Sequence, residues 1–516
     1  TMRSGFLLAV LLLPSLLTGC FGEDLENTST VVAEDSYPEP WDRTDIAYDD
    51  TDIYSRVSVN GTYETAPVQS VYVPVPSITL ADGGAGAAGG AEVHLGLWLP
   101  VIEGCDYSST ENLSTECLVP VIAEIGPYYD DGDVDALTPA DRLGKMLIQN
   151  YVPHGYGVAQ VSVFGTGNSN HCMDLMGTDE QRGIDAAVTW LGEAGWSNGK
   201  VGLIGKSYDG STPWQAATFG NPYLATIVPM SGLIGVHELM WRNGSMEARG
   251  AIMHNGVYGT FGVDGDTGDS ENFCEGYIEG YINGPAAYQT GGMVDYAGNT
   301  YWTERSFIGR VLENYQGSVY IIQGMQDWNV DPHQVFGGPS GTNWYLDYSA
   351  AGYDVRGMLG QWEHNYPDQW TKHNAQDSGY GGEAIHNMTR WDWGQDLFEW
   401  FEYYLKGVGP KPDNHAQIQR NDGQWRIEEI WPPQDATWET IDLTSCDQQG
   451  ASVGGTSVIG GGVQTVTITC GGFEQDMHIA GLPTLHLDVT ASFDGGQIFA
   501  ELQDAETGLR LGHATM

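Results

Sequence analysis

With 516 residues, 41% of them apolar and 17 tryptophans and 27 tyrosines among them, the chain exceeds one ordinary domain and can fill a large buried core. Its 68 acidic side chains outnumber 20 basic ones, and a formal charge of -48 repels phosphate backbones and excludes a nucleic-acid partner. The excess reads as a solvated acidic surface suited to a saline habitat, with steering of cationic substrates as a lesser use.

Met2-Arg3 precedes the apolar run Gly5 to Leu17, too short to span a bilayer comfortably, and the expected role of residues 1–20 is a secretory leader that starts at Met2. The run ends in Leu17-Thr18-Gly19-Cys20, which resembles a lipobox. Cys20 is then the lipidated first residue of an exported, membrane-anchored lipoprotein; the alternative is an ordinary leader with a stray cysteine. Residues 21–54 form a tether and lead-in, rich in Glu, Ser, Thr and Pro up to about residue 40. Six cysteines remain, an even number in a chain read as exported. Local pairing joins Cys105 to Cys117 and Cys446 to Cys470 and leaves Cys172 for Cys274, although the spacing alone leaves other connectivities open.

From 55 to 435 short apolar runs alternate with helical patterns. Strands are expected at Leu118 to Ile125, Tyr156 to Val163, Val201 to Ile204, Ala225 to Met230, Val319 to Gln323 and Val355 to Leu359. Such runs suit a mostly parallel sheet covered on both faces, an α/β architecture. Thr178 to Leu191 carries a Thr178-x-x-Gln181 capping box and Ile184, Ala187, Val188 and Leu191 at helical spacing. Residues 236–310 break the rhythm and read as a cap inserted between two strands. Trp391 to Leu405 is a helix with Leu397, Phe398, Phe401 and Tyr404 on its core face. From 436 to 516 strands such as Val463 to Thr469 and Leu485 to Val489 alternate with Gly-rich turns, the texture of a β-sandwich.

Val201 to Gly210 reads as a buried strand entering a glycine-flanked serine turn, with Ser207 at its tip and a helix from Ser211 to Phe219 behind it. A serine hydroxyl is a weak nucleophile at neutral pH, so it needs a base and donors for an oxyanion. In an α/β-hydrolase the partners follow in the order acid, then histidine, each after a strand. Asp327 follows the strand at 319–323, and His364 follows the next one. Their shared order and placement make Ser207, Asp327 and His364 the expected triad.

Four segments resemble the X-prolyl dipeptidyl aminopeptidase and cocaine esterase-like family of serine hydrolases: Trp196 to Val201, Gly205-Lys206-Ser207-Tyr208-x-Gly210, Asp327-Trp328-Asn329-Val330 and Trp431-Pro432-Pro433. The resemblance runs from about residue 60 to the end. It implies an α/β-hydrolase body, a helical cap, a C-terminal β jelly-roll and the same triad. It also implies an oxyanion hole made by the Tyr128 hydroxyl of Gly126-Pro127-Tyr128, or by its neighbour Tyr129, together with the N–H of Tyr208. The peptidase branch removes Xaa-Pro dipeptides from free N-termini. The amino-ester branch carries carboxylates at the positions held here by Asn329 and Val330, a departure that counts against it. Binding a free α-amine calls for an acid near the site, with Glu238, Asp264 and Asp266 as candidates.

The expected function is release of Xaa-Pro dipeptides through an acyl-enzyme on Ser207, with a peptide or small ester as substrate. The alternatives are an esterase or amidase using the same triad, and a lipoprotein that binds peptides or glycans without turnover. Asp264 to Glu271 spaces carboxylates like a calcium loop but lacks the EF-hand register, so no metal and no cofactor are expected. The β region is expected to continue beyond Met516.

Overall fold

The computed structural model describes residues 6–13, nearly all of 54–236, the short segments 241–242 and 245–246, most of 301–369 and most of 390–515. The other positions lie outside the described residues, 14–53, 80–89, 247–300 and 370–389 among them. Cys20, Cys274, Glu238, Asp264, Asp266 and the acidic run 264–271 fall there.

The strands in chain order begin with β1 (Phe6–Leu13), β2 (Glu64–Thr65), β3 (Gln69–Thr79), β4 (Gly90–Trp98), β5 (Pro100–Val101) and β6 (Val119–Gly126). They continue with β7 (Asp130–Asp131), β8 (Val134–Asp135), β9 (Gly157–Ser162), β10 (Ser197–Lys206), β11 (Leu224–Met230), β12 (Trp241–Arg242) and β13 (Ser245–Met246). β14 (Ser318–Gly324), β15 (Val355–Gly360), β16 (Ala416–Gln419) and β17 (Trp425–Glu428) complete the body. Ten of these form one sheet in the order β17-β16-β15-β14-β11-β10-β6-β9-β4-β3. Pairing is parallel from β16 across to β9 and antiparallel where β17, β4 and β3 close the two ends.

The central strands are apolar on both faces because both are covered. Val121, Ala123, Val201, Leu203, Val319 and Ile321 point to one side, where α2 (Thr178–Glu193) supplies Ile184, Ala187, Val188 and Leu191 and α3 (Tyr208–Ala217) supplies Trp214. Ile122, Ile204, Val228, Tyr320 and Ile322 point to the other, against α1 (Leu143–Tyr151) and the helix Trp393–Phe401 with its buried Trp393, Leu397, Trp400 and Phe401. This is the α/β layering read from the sequence, and the strands fall within a few residues of the expected limits.

Some details differ. The capping box does not form, because Thr178 is already the first helical residue and Gly177 is the N-cap. Glu180 instead accepts from Met176 N at 3.0 Å, and Gln181 donates to the carbonyls of Met176 and Glu304. The helix behind Ser207 starts at Tyr208 rather than Ser211, since the turn into it is a single residue. The inserted segment closes at a bridge between Gly235 and Ser306. Phe307 and Val311 are buried in the main core, so the helix Ile308–Asn314 belongs to the body.

After the body come β18 (Asp447–Val458), β19 (Gly461–Thr469), β20 (Ile498–Asp504) and β21 (Arg510–Thr515). Among the described residues these form one five-stranded sheet, β18-β19-β1-β20-β21, in which β1 runs parallel to both neighbours. The run expected as a leader thus supplies the middle strand. Leu485 and His486 lie outside any strand, and the rest of that expected strand is outside the described residues. Cys105 is joined to Cys117 and Cys446 to Cys470; Cys172 is also disulfide-linked.

Candidate active site

The pairing of β10, β11, β14 and β15 aligns their carboxyl ends, with Lys206 opposite Met230, Met230 opposite Ile322 and Gly324 opposite Gly360. Ser207, Asp327 and His364 follow β10, β14 and β15, so the topology brings all three expected residues to one edge of the sheet.

Ser207 stands between β10 and α3 with φ 67° and ψ -122°, a region a residue with a side chain occupies only at a cost of about 1–3 kcal/mol. The surroundings hold it there. Its N–H donates to Met230 O at 3.0 Å, and its carbonyl accepts from both the N–H and the hydroxyl of Ser211, each at 3.1 Å. Glycine is required on both sides because a Cβ at Gly205 would overlap the backbone of Asp209, and one at Gly210 the carbonyl of Met230. Tyr208 opens α3, and its N–H lies at the positive end of that helix. Its own ring is buried, and its hydroxyl donates to Glu180 Oε2 at 2.6 Å, which anchors the first residue of α3.

Asp327 is fully buried. One carboxylate oxygen accepts from the backbone N–H of Asn329 and Val330, both at 2.9 Å, while the other accepts from His364 Nδ1 at 2.8 Å. Burial alone would raise this carboxyl, but the His364 charge and these hydrogen bonds, with one from Ser231, bring it below the ordinary aspartate range. His364 is held below the usual histidine value, chiefly by desolvation, against the opposing pull of Asp327 and with help from the Lys206 charge. It is therefore a neutral base at pH 7, oriented by Asp327 through Nδ1 with Nε2 turned the other way. Nε2 is buried and makes no hydrogen bond, so the bond to Ser207 is not made in this state; free hydrolases commonly tighten it only with substrate bound. Lys206 Nζ donates to the His364 carbonyl at 3.3 Å and ties the nucleophile strand to the histidine loop.

Of the two tyrosines after β6, Tyr129 is fully buried with its hydroxyl 3.4 Å from Asp209 Oδ2. Tyr128 is half-buried. Sequence reasoning passed over Glu124, Glu180, Lys206 and Ser231. Glu124 carried a visible signal, as the lone acid in an apolar strand; the other three act through contacts that no local pattern encodes.

Residues 89–366, more than half of the chain, match the family model described as X-Pro dipeptidyl-peptidase (S15 family). A provisionally named Xaa-Pro dipeptidyl-peptidase of Streptomyces avermitilis is 25% identical over 375 residues, covering 68% of this chain and 50% of that protein. One from Bacillus cereus, likewise provisionally named, is 26% identical over 348 residues, 61% of this chain and 53% of its own. The chain spans about half the length of these relatives. A CocE/NonD family hydrolase structure from Staphylococcus aureus covers 73% of this chain and 60% of that one at 15% identity and a TM-score of 0.46, so the fold rests on its own strand order. By the length and content of the family match, the chain belongs to the X-Pro dipeptidyl-peptidase (S15) family.

Proposed function

We propose that the chain is a serine hydrolase that releases Xaa-Pro dipeptides from peptide N-termini through an acyl-enzyme on Ser207. The observation that carries this reading is the 2.8 Å bond from His364 Nδ1 to a fully buried Asp327 at the edge where the strained Ser207 turn stands. The family and the names of the relatives support the peptidase reading over the esterase one.

In the first half-reaction His364 Nε2 takes the Ser207 hydroxyl proton while Oγ attacks the carbonyl carbon of the proline residue. The Tyr128 hydroxyl and the Tyr208 N–H receive the developing oxyanion, each contributing about 3 kcal/mol to the transition state. Asp327 stabilises the imidazolium and keeps the tautomer. The imidazolium then protonates the leaving amine as the C–N bond breaks. In the second half-reaction the same base activates water, the ester to Ser207 is hydrolysed, and the dipeptide leaves.

The same reading puts the enzyme on the outer side of a membrane, anchored at Cys20. Its support is the Leu17-Thr18-Gly19-Cys20 tetrapeptide together with disulfides that persist in oxidising compartments. The test compares an Xaa-Pro anilide with an aryl ester and labels the protein with a fluorophosphonate. Turnover of the anilide is expected, and both turnover and label should vanish in Ser207→Ala. Hydrolysis of the ester alone would overturn the peptidase assignment, and a Ser207→Ala protein that still labels would overturn the site.

A further inference from the structure

The mechanism leaves Glu180 without a role. Acidic side chains in the first turn of a helix normally face solvent, and Asp179 is such a residue, 35% exposed and paired with Arg182 and His171. Glu180 beside it is 1% exposed. Three donors converge on its carboxylate. The Tyr208 hydroxyl donates to Oε2 at 2.6 Å, Met176 N donates to the same oxygen at 3.0 Å, and Gln215 Nε2 donates to Oε1 at 3.1 Å. An ionised carboxylate accepts and never donates, so each contact suits the charged form, and the first has the short length of a charge-assisted O–H···O bond.

Two of these donors, Tyr208 and Gln215, lie on α3 seven residues apart. Seven residues make nearly two full turns, so both side chains leave α3 on one face. A carboxylate bonded to both fixes the rotation of α3 about its own axis. Glu180 is itself held in place, because α2 packs on the sheet through Ile184, Ala187, Val188 and Leu191. The turn before α2 is over-determined as well. Leu175 and Met176 take φ of 44° and 65°, conformations that residues with a side chain keep only under constraint. Glu180 takes the Met176 N–H, Gln181 Nε2 donates to the Met176 carbonyl at 2.8 Å, and Arg305 Nε donates to the Leu175 carbonyl at 3.0 Å. Arg305 is 1% exposed and stands where the inserted segment returns to the body, its carbonyl accepting from Val236 N at 2.8 Å.

Tyr208 is both the residue whose hydroxyl ends on Glu180 and the residue whose N–H is offered to the oxyanion. Hydroxyl and amide belong to the first residue of α3, so a bond at one end limits how the other can turn. We infer that Glu180 is a positioning residue, which through the Tyr208 hydroxyl and Gln215 holds the first turn of α3 with the Tyr208 N–H aimed at the oxyanion. This rests on the hydrolase reading of Ser207. Glu180 acts through Tyr208 and not on the substrate. An oxyanion donor stabilises the tetrahedral state more than the bound ground state, so its misalignment lowers kcat and leaves KM.

The experiment measures kcat and KM on an Xaa-Pro anilide for the wild type, Tyr208→Phe, Glu180→Gln and Glu180→Ala, with fluorophosphonate labelling of each. It adds the inhibition constant of a dipeptide aldehyde, to whose carbonyl the Ser207 hydroxyl adds, leaving its oxygen where the oxyanion forms. Tyr208→Phe removes one oxygen and keeps the amide, and should lower kcat about tenfold with KM within about twofold. Glu180→Ala, which strips all three donors of their acceptor, should lose about 30-fold in the same pattern. An amide at 180 keeps an oxygen for Tyr208 and Met176 and offers its N–H to Gln215, whose own amide can turn to accept. Glu180→Gln should therefore recover to about threefold below wild type. Aldehyde binding should weaken by the same factors as kcat. A Tyr208→Phe protein with wild-type kcat, a loss carried by KM alone, aldehyde binding that does not change, or Glu180→Gln as damaged as Glu180→Ala would each overturn the positioning role. Should the Glu180 variants fail to fold, Tyr208→Phe decides. A wild type that neither labels at Ser207 nor turns over the anilide brings down the hydrolase reading and this role with it, whereas an active, labelled wild type beside an equally active Tyr208→Phe removes the role of Glu180 alone.

Discussion

The two large sheets of the molecule are assembled over different distances along the chain. In the body, β6, β10, β11, β14 and β15 lie close to sequence order, each apolar on both faces and each covered by helices that come from neighbouring segments. In the C-terminal sheet β19 and β20 are separated by β1, which pairs Leu7 with Gln464 on one side and with Ile498 on the other. Local pattern and tertiary position agree across the strands of the body, and its carboxyl edge carries Ser207, Asp327 and His364. The centre of the second sheet depends on a strand that also reads as an export leader, and the two uses exclude each other in one mature chain.

The strongest way to separate the regions is to break the body at its reactive edge. Ser207→Ala and His364→Ala are each expected to lower kcat/KM by about 10⁴-fold or more, with the unfolding midpoint little changed. Asp327→Asn should approach the same loss, because Asn329, Val330 and His364 would meet an amide that cannot fix the histidine tautomer. Substitutions in the C-terminal sheet should leave fluorophosphonate labelling of Ser207 intact, and a C-terminal variant that folds but no longer labels would contradict the separation. Next in size is the body core. Trp400 is fully buried and donates to Thr226 Oγ1 at 2.8 Å, so Trp400→Ala should cost about 3–5 kcal/mol in urea unfolding.

The C-terminal sheet invites a milder test. Cys446 and Cys470 close a loop with a sequence separation of 24 beside β18 and β19, and their replacement by serine should cost that region about 3 kcal/mol. Intact mass of the native protein addresses β1 directly. The lipoprotein reading predicts a chain beginning at a lipid-modified Cys20, in which the facing edges of β19 and β20 have lost their partner and exchange their amide hydrogens faster than β10 and β11. A native chain that retains residues 6–13 would instead keep the strand and remove the anchor.

The body was legible because its determinants are local. Short apolar runs bounded by glycine mark the strands, and Gly205-Lys206-Ser207-Tyr208 with its continuation Asp209-Gly210 marks the turn. Asp327 and His364 could be found because chain order after a strand translates directly into position on a sheet edge. What escaped has a different origin. Glu180 reaches Tyr208 from another helix, Lys206 reaches the carbonyl of His364 158 residues away, and the Tyr129 hydroxyl reaches Asp209 Oδ2 at 3.4 Å. Each is a polar group satisfied only by tertiary packing, and no periodicity announces it. The Thr178 capping box failed for the converse reason, since a locally sufficient motif was overridden when Gln181 found the carbonyl of Glu304.

The smallest effect compares the buried Glu124 carboxyl of the body with the same group in the unfolded chain. Glu124 titrates near 4.5 when unfolded and near 8 when folded, so between those values the folded state binds more protons. Stability contributed by its protonated form is fully present below about 4.5 and is lost as pH rises through the folded value. The slope approaches about -1.4 kcal/mol per pH unit for one proton. His364 acts in the opposite direction and at lower pH. Its folded value lies below 6.5, so its contribution erodes as pH falls through that range and is constant above pH 7. Asp327 is likewise constant there, because its folded value lies below 3.8. Urea midpoints of the wild type measured between pH 7 and 8 should therefore decline, and those of Glu124→Gln should decline less. Parallel midpoint curves for the two proteins would mean that Glu124 is already ionised at neutral pH.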